Sequence, residues 1–395
     1  MKVVQINGTC TKGSTGKICL EISKILTDNE VDNWIFHAQS DADYPLGISY
    51  CNKWYAKAQV VKAHILGNYG FNAKLSTKKL ITHLKRIKPD IVHLHNIHSH
   101  ECNVEMLFKY LKTTDAKVVW TFHDCWAFTA YCSYFDYVKC NKWKSGCEDC
   151  PQYKSKSIIF DRSKGLYERK REMLNGLDLT VVTPSDWLSE LVGESFLKDC
   201  KRKVIHNGID LNVFSKRQSD FKQKHNITGY MVLGVAYKWE KRKGIDVFCR
   251  MRELLGDEYT IVMVGTDEKV EKLLPQGIIP VRKTLNQIEL AEIYSSADVF
   301  LNPTREDNFP TVNMEAIACG TPVVTFRTGG STEMIDNYSG VAVNCDDIDA
   351  TQKAIRKICE QGAIPREACI KKAREFDKNK CFSDYLALYK RLLSE

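Results

Sequence analysis

Residues 297–330 of the 395-residue chain read ADVFLNPTREDNFPTVNMEAIACGTPVVTFRTGG. The apolar run 299–301 predicts a buried strand, 311–319 a helix, and 322–326 a second buried strand ahead of the pair Gly329 and Gly330. Pro310 stands just before the helical run and Gly320 just after it, the asymmetry that helix termini favour. In an open α/β sheet, ligands collect outside the carboxyl ends of the strands, where the loop after 299–301 lies. That loop carries the adjacent acids Glu306 and Asp307, and the helix carries Glu315. Carboxylates only accept hydrogen bonds, which suits them to the vicinal hydroxyls of a ribose or a hexose. Glu306 taken alone reads as a solvated loop acid; the arrangement as a whole reads as a sugar site.

The stretch resembles the retaining glycosyltransferases of family 4. Their signature is an acidic residue, seven residues and a glutamate, followed by A-x-x-x-G-x-P-V-V. Here it runs Asp307, Asn308, Phe309, Pro310 and on to Glu315, then 316–324. The family's first glutamate corresponds to Asp307, with Glu306 beside it, so either is the candidate for the donor sugar. The resemblance implies a GT-B fold, with two facing Rossmann-like domains and a deep interdomain cleft. It also implies metal-independent transfer of a hexose with retention of configuration.

Length agrees, since 395 residues suit two domains of roughly 200 residues each. No run of 18 apolar residues predicts a membrane-spanning helix, and MKVVQINGTC lacks the apolar core of a signal peptide. Sixteen cysteines scattered through predicted strands and helices point to a reducing cytoplasm. The net charge of +8 is uneven. Residues 44–89 hold no acid against nine lysines and arginines, with Tyr50, Trp54, Tyr55, Tyr69 and Phe71 among them. Basic residues with aromatics suit an anionic membrane surface, so peripheral contact through 50–88 on the inner face of the cell membrane is expected. The same charge binds any phosphate, and a solvated basic face is the plain alternative; no nucleic-acid partner is expected.

At the N-terminus, strand 2–6 leads into Asn7-Gly8 and a loop through Gly13, Ser14 and Gly16, then a helical pattern over 17–26. Strand, glycine loop and helix start form an anion cradle. It is not a P-loop, because Ser14 stands where that motif needs lysine, and the glycine spacing misses G-x-G-x-x-G. The family resemblance places this loop near donor phosphate and acceptor. Two further strands end in polar groups, 90–96 at His95 and Asn96, and 117–122 at His123 and Asp124. The resemblance puts His123 beside the donor sugar, with His95 and His98 as weaker candidates; a capping histidine paired with Asp124 is the structural alternative.

Between 124 and 153 there is no clear period, and Cys132, Cys140, Cys147 and Cys150 fall within 19 residues. Four thiolates can close a structural zinc site and fasten a loop that lacks its own core. Four sulfur ligands leave no open position, so any such metal is structural, and no cofactor is expected for catalysis. Unliganded thiols or a redox pair are the alternatives. The segment also looks similar to a cysteine-containing insert in the exopolysaccharide, capsule and colanic-acid branch of the family, written H-D-x-W-x-F-T and later C-x-x-C-P. Ser163 to Leu174 predicts a basic helix, and 204–207 a short strand. Asn207-Gly208-Ile209-Asp210-x-x-x-Phe214 resembles the family's interdomain linker. The expected division is 1–207 as acceptor domain, 208–378 as nucleotide-sugar domain, and a helix 379–395 crossing back to the first.

The second half opens with strand 230–236 and the run Lys238, Arg242, Lys243, Gly244. Cations ahead of a helix make a diphosphate clamp, with arginine as a fork and lysine as a point charge. Lys243-Gly244 matches the family's Lys-Gly pair. The family's earlier arginine aligns near Ala236, so Arg242 or Lys238 must substitute. Gly329 and Gly330 resemble the loop near the donor phosphates. The reading is a hexosyltransferase that takes a UDP- or GDP-linked donor to a lipid-linked saccharide in cell-surface polysaccharide synthesis. Its rivals are a nucleotide-sugar epimerase of the same fold and a zinc-containing nucleic-acid binder.

Overall fold

The apolar runs of the first half form seven parallel strands in the computed structural model, which describes residues 1–38, 44–98 and 100–395. They are β1 (Lys2–Asn7), β2 (Asp32–His37), β3 (Gly47–Ser49), β4 (Ile91–Leu94), β5 (Lys117–Thr121), β6 (Leu179–Thr183) and β7 (Lys201–Val204). Their spatial order is β3-β2-β1-β4-β5-β6-β7. Successive side chains of a strand point to opposite faces, and the two faces bury different sets. Val4, Val92, Val118 and Val181 share a core with Leu80 and Leu84 of helix Lys74–Ile87 and with Leu107 and Phe108 of helix Val104–Leu111. Their neighbours Val3, Ile91, Val119 and Val182 face Ile18, Ile22 and Leu26 of helix Gly13–Asp28. Helix Lys378–Ser394 closes that second face with Phe382, Tyr385, Tyr389 and Leu392.

Residues 381–395 therefore belong with residues 1–206 in one compact unit, and residues 207–380 form another. The second unit has six parallel strands: β8 (Tyr230–Val235), β9 (Tyr259–Val264), β10 (Ile278–Val281), β11 (Val299–Asn302), β12 (Val323–Phe326) and β13 (Gly340–Val343). The order is β10-β9-β8-β11-β12-β13 around one apolar core. In each sheet the chain leaves a central pair in opposite directions, β1 and β4 in the first, β8 and β11 in the second. Such switch points open a crevice at the strands' carboxyl ends.

Several elements differ from the sequence reading. The strand placed at 204–207 lies at Lys201–Val204 instead. It is a sheet edge paired only with β6, so it exposes Lys201, Arg202 and Lys203 and carries no apolar signal. The basic stretch folds as helices Lys53–Leu66 and Lys74–Ile87. Helix Arg366–Ala373 tightens into a 3-10 turn at Arg374–Phe376. Among the described residues no helix is long and apolar enough to cross a membrane.

Candidate active site

In the first unit, the polar groups gather at the β1/β4 switch point. Asn7 ends β1 and ties the two loops: its Oδ1 accepts the Asn96 N–H at 3.1 Å, and its Nδ2 donates to Thr9 O at 2.9 Å. Gly13 starts helix Gly13–Asp28 at φ +70, a left-handed conformation that costs glycine little. Gly16 lies against the loop itself, where a Cβ would stand 2.6 Å from Thr9 Oγ1. No side chain caps this helix, which leaves a positive, N–H-rich end beside the strand termini.

Behind this loop runs a chain of side chains. Gln5 Nε2 donates to Cys19 O at 3.0 Å, so its Oε1 is the atom that faces His95 Nε2 at 3.2 Å. A carbonyl oxygen only accepts, so His95 carries its proton on Nε2. Its Nδ1 is then an acceptor and takes the Nε2–H of His123 at 3.1 Å. The network thereby assigns His123 the tautomer with a lone pair on Nδ1. Burial pushes His95 well below the usual imidazole range, helped by His93 and His123. Burial likewise takes His123 down to about 4, against a partly offsetting pull from Asp124. Asp124 would be raised by its own burial, but His98 at 3.2 Å and the Trp126 N–H at 2.9 Å outweigh that and hold it below the usual carboxylate range. His95, Asn96, His98, His123 and Asp124 line one pocket. It offers two imidazoles that burial keeps neutral, His95 and His123, and one anchored carboxylate, groups that exchange hydrogen bonds with hydroxyls.

In the second unit, the β8/β11 switch point brings the cations to the acids. Lys243 ends a 3-10 turn, Lys241–Lys243, and its Nζ sits 2.5 Å from Asp307 Oδ2. Arg242 Nη1 donates to Glu306 O at 3.1 Å while Glu240 holds the same guanidinium at 3.2 Å. The Arg305 N–H donates to Arg242 O at 2.9 Å, which locks the two loops together. Gly329 follows β12 at φ +53, and a Cβ there would overlap the carbonyl oxygen of Asp307. The Gly330 N–H donates to Asn308 O at 3.0 Å. Asn313 bridges both sides, accepting from Asn302 Nδ2 at 2.8 Å and donating to Ser331 O at 3.0 Å. Glu315, one turn along helix Thr311–Ala318, accepts the Tyr294 hydroxyl at 3.1 Å.

Arg242, Lys243, Asp307, Asn308 and Gly329 with Gly330 thus sit together where the loops after β8, β11 and β12 meet. Glu306 is almost fully buried, with its carbonyl turned to Arg242, and Asp307 is the more accessible of the two acids. Phe309 is buried against Phe376, with ring centroids 6.0 Å apart, and Pro310 supplies the residue before the helix. Lys238 is not drawn in: it is exposed, and its nearest acid is Glu240 at 3.6 Å. Sequence reading missed Gln5, Tyr294 and Asn313. A single polar residue inside the apolar run of β1 is the one signal that marks Gln5.

Comparison with known proteins agrees with this architecture. Residues 19–213 match the family described as Glycosyltransferase Family 4, and residues 216–376 match Glycosyl transferases group 1. A protein of Escherichia coli (strain K12), named as the colanic acid biosynthesis glycosyl transferase WcaC, is 21% identical over 367 residues, 88% of each chain. The D-inositol 3-phosphate glycosyltransferase of Mycobacterium marinum is 24% identical over 57% of this chain and 53% of its own. Among solved structures, sucrose-phosphate synthase from Thermosynechococcus elongatus superposes with a TM-score of 0.72 at 17% identity, covering 100% of this chain and 99% of its own. Anabaena Alr3699/HepE in complex with UDP-glucose gives 0.68 at 14% identity, covering 100% and 99%. These likenesses carry the fold, and the two family matches carry the class: the chain belongs to the glycosyltransferases of these families and is a transferase with the GT-B fold.

Proposed function

We propose that this glycosyltransferase moves a hexose from a UDP- or GDP-linked donor, with retention, onto a lipid-linked saccharide during cell-surface polysaccharide synthesis. The observation that carries the donor assignment is the contact between Lys243 and Asp307 at the β8/β11 switch point. Departure of a nucleoside diphosphate builds negative charge on phosphate oxygens, and pre-placed cations stabilise it without reorganisation. Lys243 and Arg242 fill that role. Glu315 takes the ribose hydroxyls, Glu306 or Asp307 the hexose hydroxyls, and His123 the far side of the sugar. The departing phosphate itself takes the acceptor proton. Support for the donor class comes from Anabaena HepE, solved with UDP and with UDP-glucose, and support for the pathway from the WcaC likeness.

Peripheral lipid contact fits one face of the first unit. Trp54, Lys57, Val61, Lys62 and Ile65 recur at helical spacing on helix Lys53–Leu66, and Trp54 is 76% exposed. Ile158, Ile159 and Phe160 stand exposed beside them, joined through the Ile158 N–H to His64 O at 2.8 Å. Apolar side chains among lysines suit an anionic bilayer surface. Binding to vesicles containing an anionic lipid, absent with zwitterionic ones and lost in Trp54→Ser with Ile159→Ser, is the expected result.

The test of the reaction is a panel of UDP- and GDP-sugars, read first as a rise in thermal midpoint and then as nucleoside diphosphate release with a polyprenyl-linked saccharide. Retention is read from the anomeric coupling of the product. Absence of any midpoint rise overturns the donor assignment. Conversion of the donor sugar without acceptor would make the protein an epimerase.

A further inference from the structure

The segment 124–153 contains only short 3-10 turns, at Trp126–Phe128 and Lys142–Lys144. It is nevertheless folded around a cavity lined by Cys132, Cys140, Cys147 and Cys150, with Phe135 stacked on Trp143 at 4.8 Å as one wall. The Cys147-Glu148-Asp149-Cys150 turn closes through Asp149 at φ +44, a left-handed conformation unusual for a residue with a Cβ. Lys142 Nζ binds the turn's carbonyls, Glu148 O at 2.9 Å and Asp149 O at 3.0 Å.

Lys170 supplies an independent observation. It belongs to helix Ser163–Leu174, predicted from the sequence as a basic helix, and is fully buried. Its ammonium donates to Trp126 O at 2.6 Å, Thr129 O at 2.8 Å and Ala130 O at 3.2 Å, the carbonyls that lead into Cys132. Among the described residues no carboxylate oxygen lies within 4.0 Å of it. A buried ammonium without a counter-charge costs several kcal/mol. Burial pushes the Lys170 amine well below its usual range, and Cys147, Asp124 and Cys132 offset this only in part.

We propose that Cys132, Cys140, Cys147 and Cys150 bind one structural zinc ion as thiolates, with Lys170 from the interior and Lys142 from the surface balancing the charge of the centre. Four thiolates around Zn2+ leave a net double negative charge, which two lysines neutralise. Binding releases the four thiol protons to solvent and forms four Zn–S bonds; no electron moves. No three of the sulfurs lie within 4.8 Å of one another in this structure. A tetrahedral site with Zn–S of about 2.3 Å brings them to about 3.8 Å, so the loop contracts on the metal. The site lies apart from the pocket of His123, and its role is to fix the loop that follows Asp124.

The experiment is metal analysis of the full chain purified without a metal-affinity tag under reducing, oxygen-free conditions. About one zinc per chain is expected, with absorption-edge spectroscopy showing four sulfur neighbours at about 2.3 Å. Titration with a mercurial should release the zinc in step with four thiols. Cys147→Ser should lose the metal to a chelator, and Lys170→Met should retain it about tenfold less tightly. Because the cysteine variant can misfold, the mercurial titration of the unaltered protein stands as the deciding measurement. Zinc below about a tenth of an equivalent after growth with added zinc, a shell containing nitrogen or oxygen ligands, or a Cys132–Cys150 disulfide in metal-free protein would each overturn the proposal.

Discussion

The carbonyl oxygen of Asp307 occupies the space that a side chain on residue 329 would need. Gly329 therefore lets the loop after β12 lie directly on the acid that holds Lys243. Gly329→Ala must either move Asp307 or leave φ +53, and the left-handed conformation alone costs about 1–2 kcal/mol. We expect a thermal midpoint lower by several degrees and at least a tenfold loss of donor turnover. An alanine variant with unchanged donor binding would show that the close approach has no part in the site.

Lys243 and Asp307 make a pair that the proposed donor would have to enter. Lys243→Ala removes a cation from the leaving group and should lower kcat/KM by about 2–4 kcal/mol equivalent, roughly 30- to 1,000-fold. Asp307→Asn should separate two roles. If the carboxylate mainly holds the lysine, affinity for the free nucleoside diphosphate rises in the variant; if it holds hexose hydroxyls, affinity for the nucleotide sugar falls while that for the diphosphate is kept. Calorimetry with both ligands distinguishes them, and no change in either binding constant would remove Asp307 from the site.

His95 acts on His123 through the proton arrangement that Gln5 imposes. His123→Ala should reduce turnover by about 2–4 kcal/mol equivalent, the range for one lost polar contact to developing charge. Gln5→Leu leaves His123 in place but frees the His95 tautomer, so a smaller, about tenfold, loss of kcat with unchanged folding is expected. Nitrogen NMR of the imidazoles should show the His123 proton on Nε2 in the unaltered protein and mixed tautomers in the variant. A His123 proton on Nδ1 would contradict the chain of donors described above.

His93 and His95 are buried and held well below the usual imidazole range, chiefly by burial. As pH falls through about 6.5, the unfolded chain takes up protons at these positions and the native chain does not. Stability should therefore fall with falling pH, by about 1.4 kcal/mol per pH unit for each histidine that stays neutral in the native state. Denaturant unfolding at pH 7.5, 6.5 and 5.5 checks this. A flat profile between 6.5 and 5.5 would mean that neither ring resists protonation in the folded protein.

The segment 297–330 was readable because its period changes from strand to helix and back, and Pro310 and Gly320 mark the helix ends. Glu315 and Asp307 were named there by position in the motif, and Lys243 by its Lys-Gly pair earlier in the chain. What joins them was not readable. Tyr294 reaches Glu315 from the preceding helix, and Gln5 reaches His95 across 90 residues, distances that no local pattern spans. Edge strand β7 was misplaced because exposed lysines and an arginine fill it. The burial of Lys170 was not readable because its partners are backbone carbonyls, which leave no trace in a sequence.

Helix Lys378–Ser394 contributes Phe382, Tyr385, Tyr389 and Leu392 to the sheet that begins with Lys2–Asn7, and Tyr389 places its hydroxyl 2.6 Å from His93 Nδ1. The lobe made of residues 207–380 is consequently spliced into the other one. During synthesis it can reach its native form while still near the ribosome. The larger lobe, begun first, must wait with that face of its sheet covered only in part, by helix Gly13–Asp28, until residues 381–395 emerge. Each of those large apolar side chains buries about 1.5–3 kcal/mol of transfer free energy. A released chain truncated after residue 380 should therefore be protease-resistant in residues 207–380 and chaperone-dependent in residues 1–206.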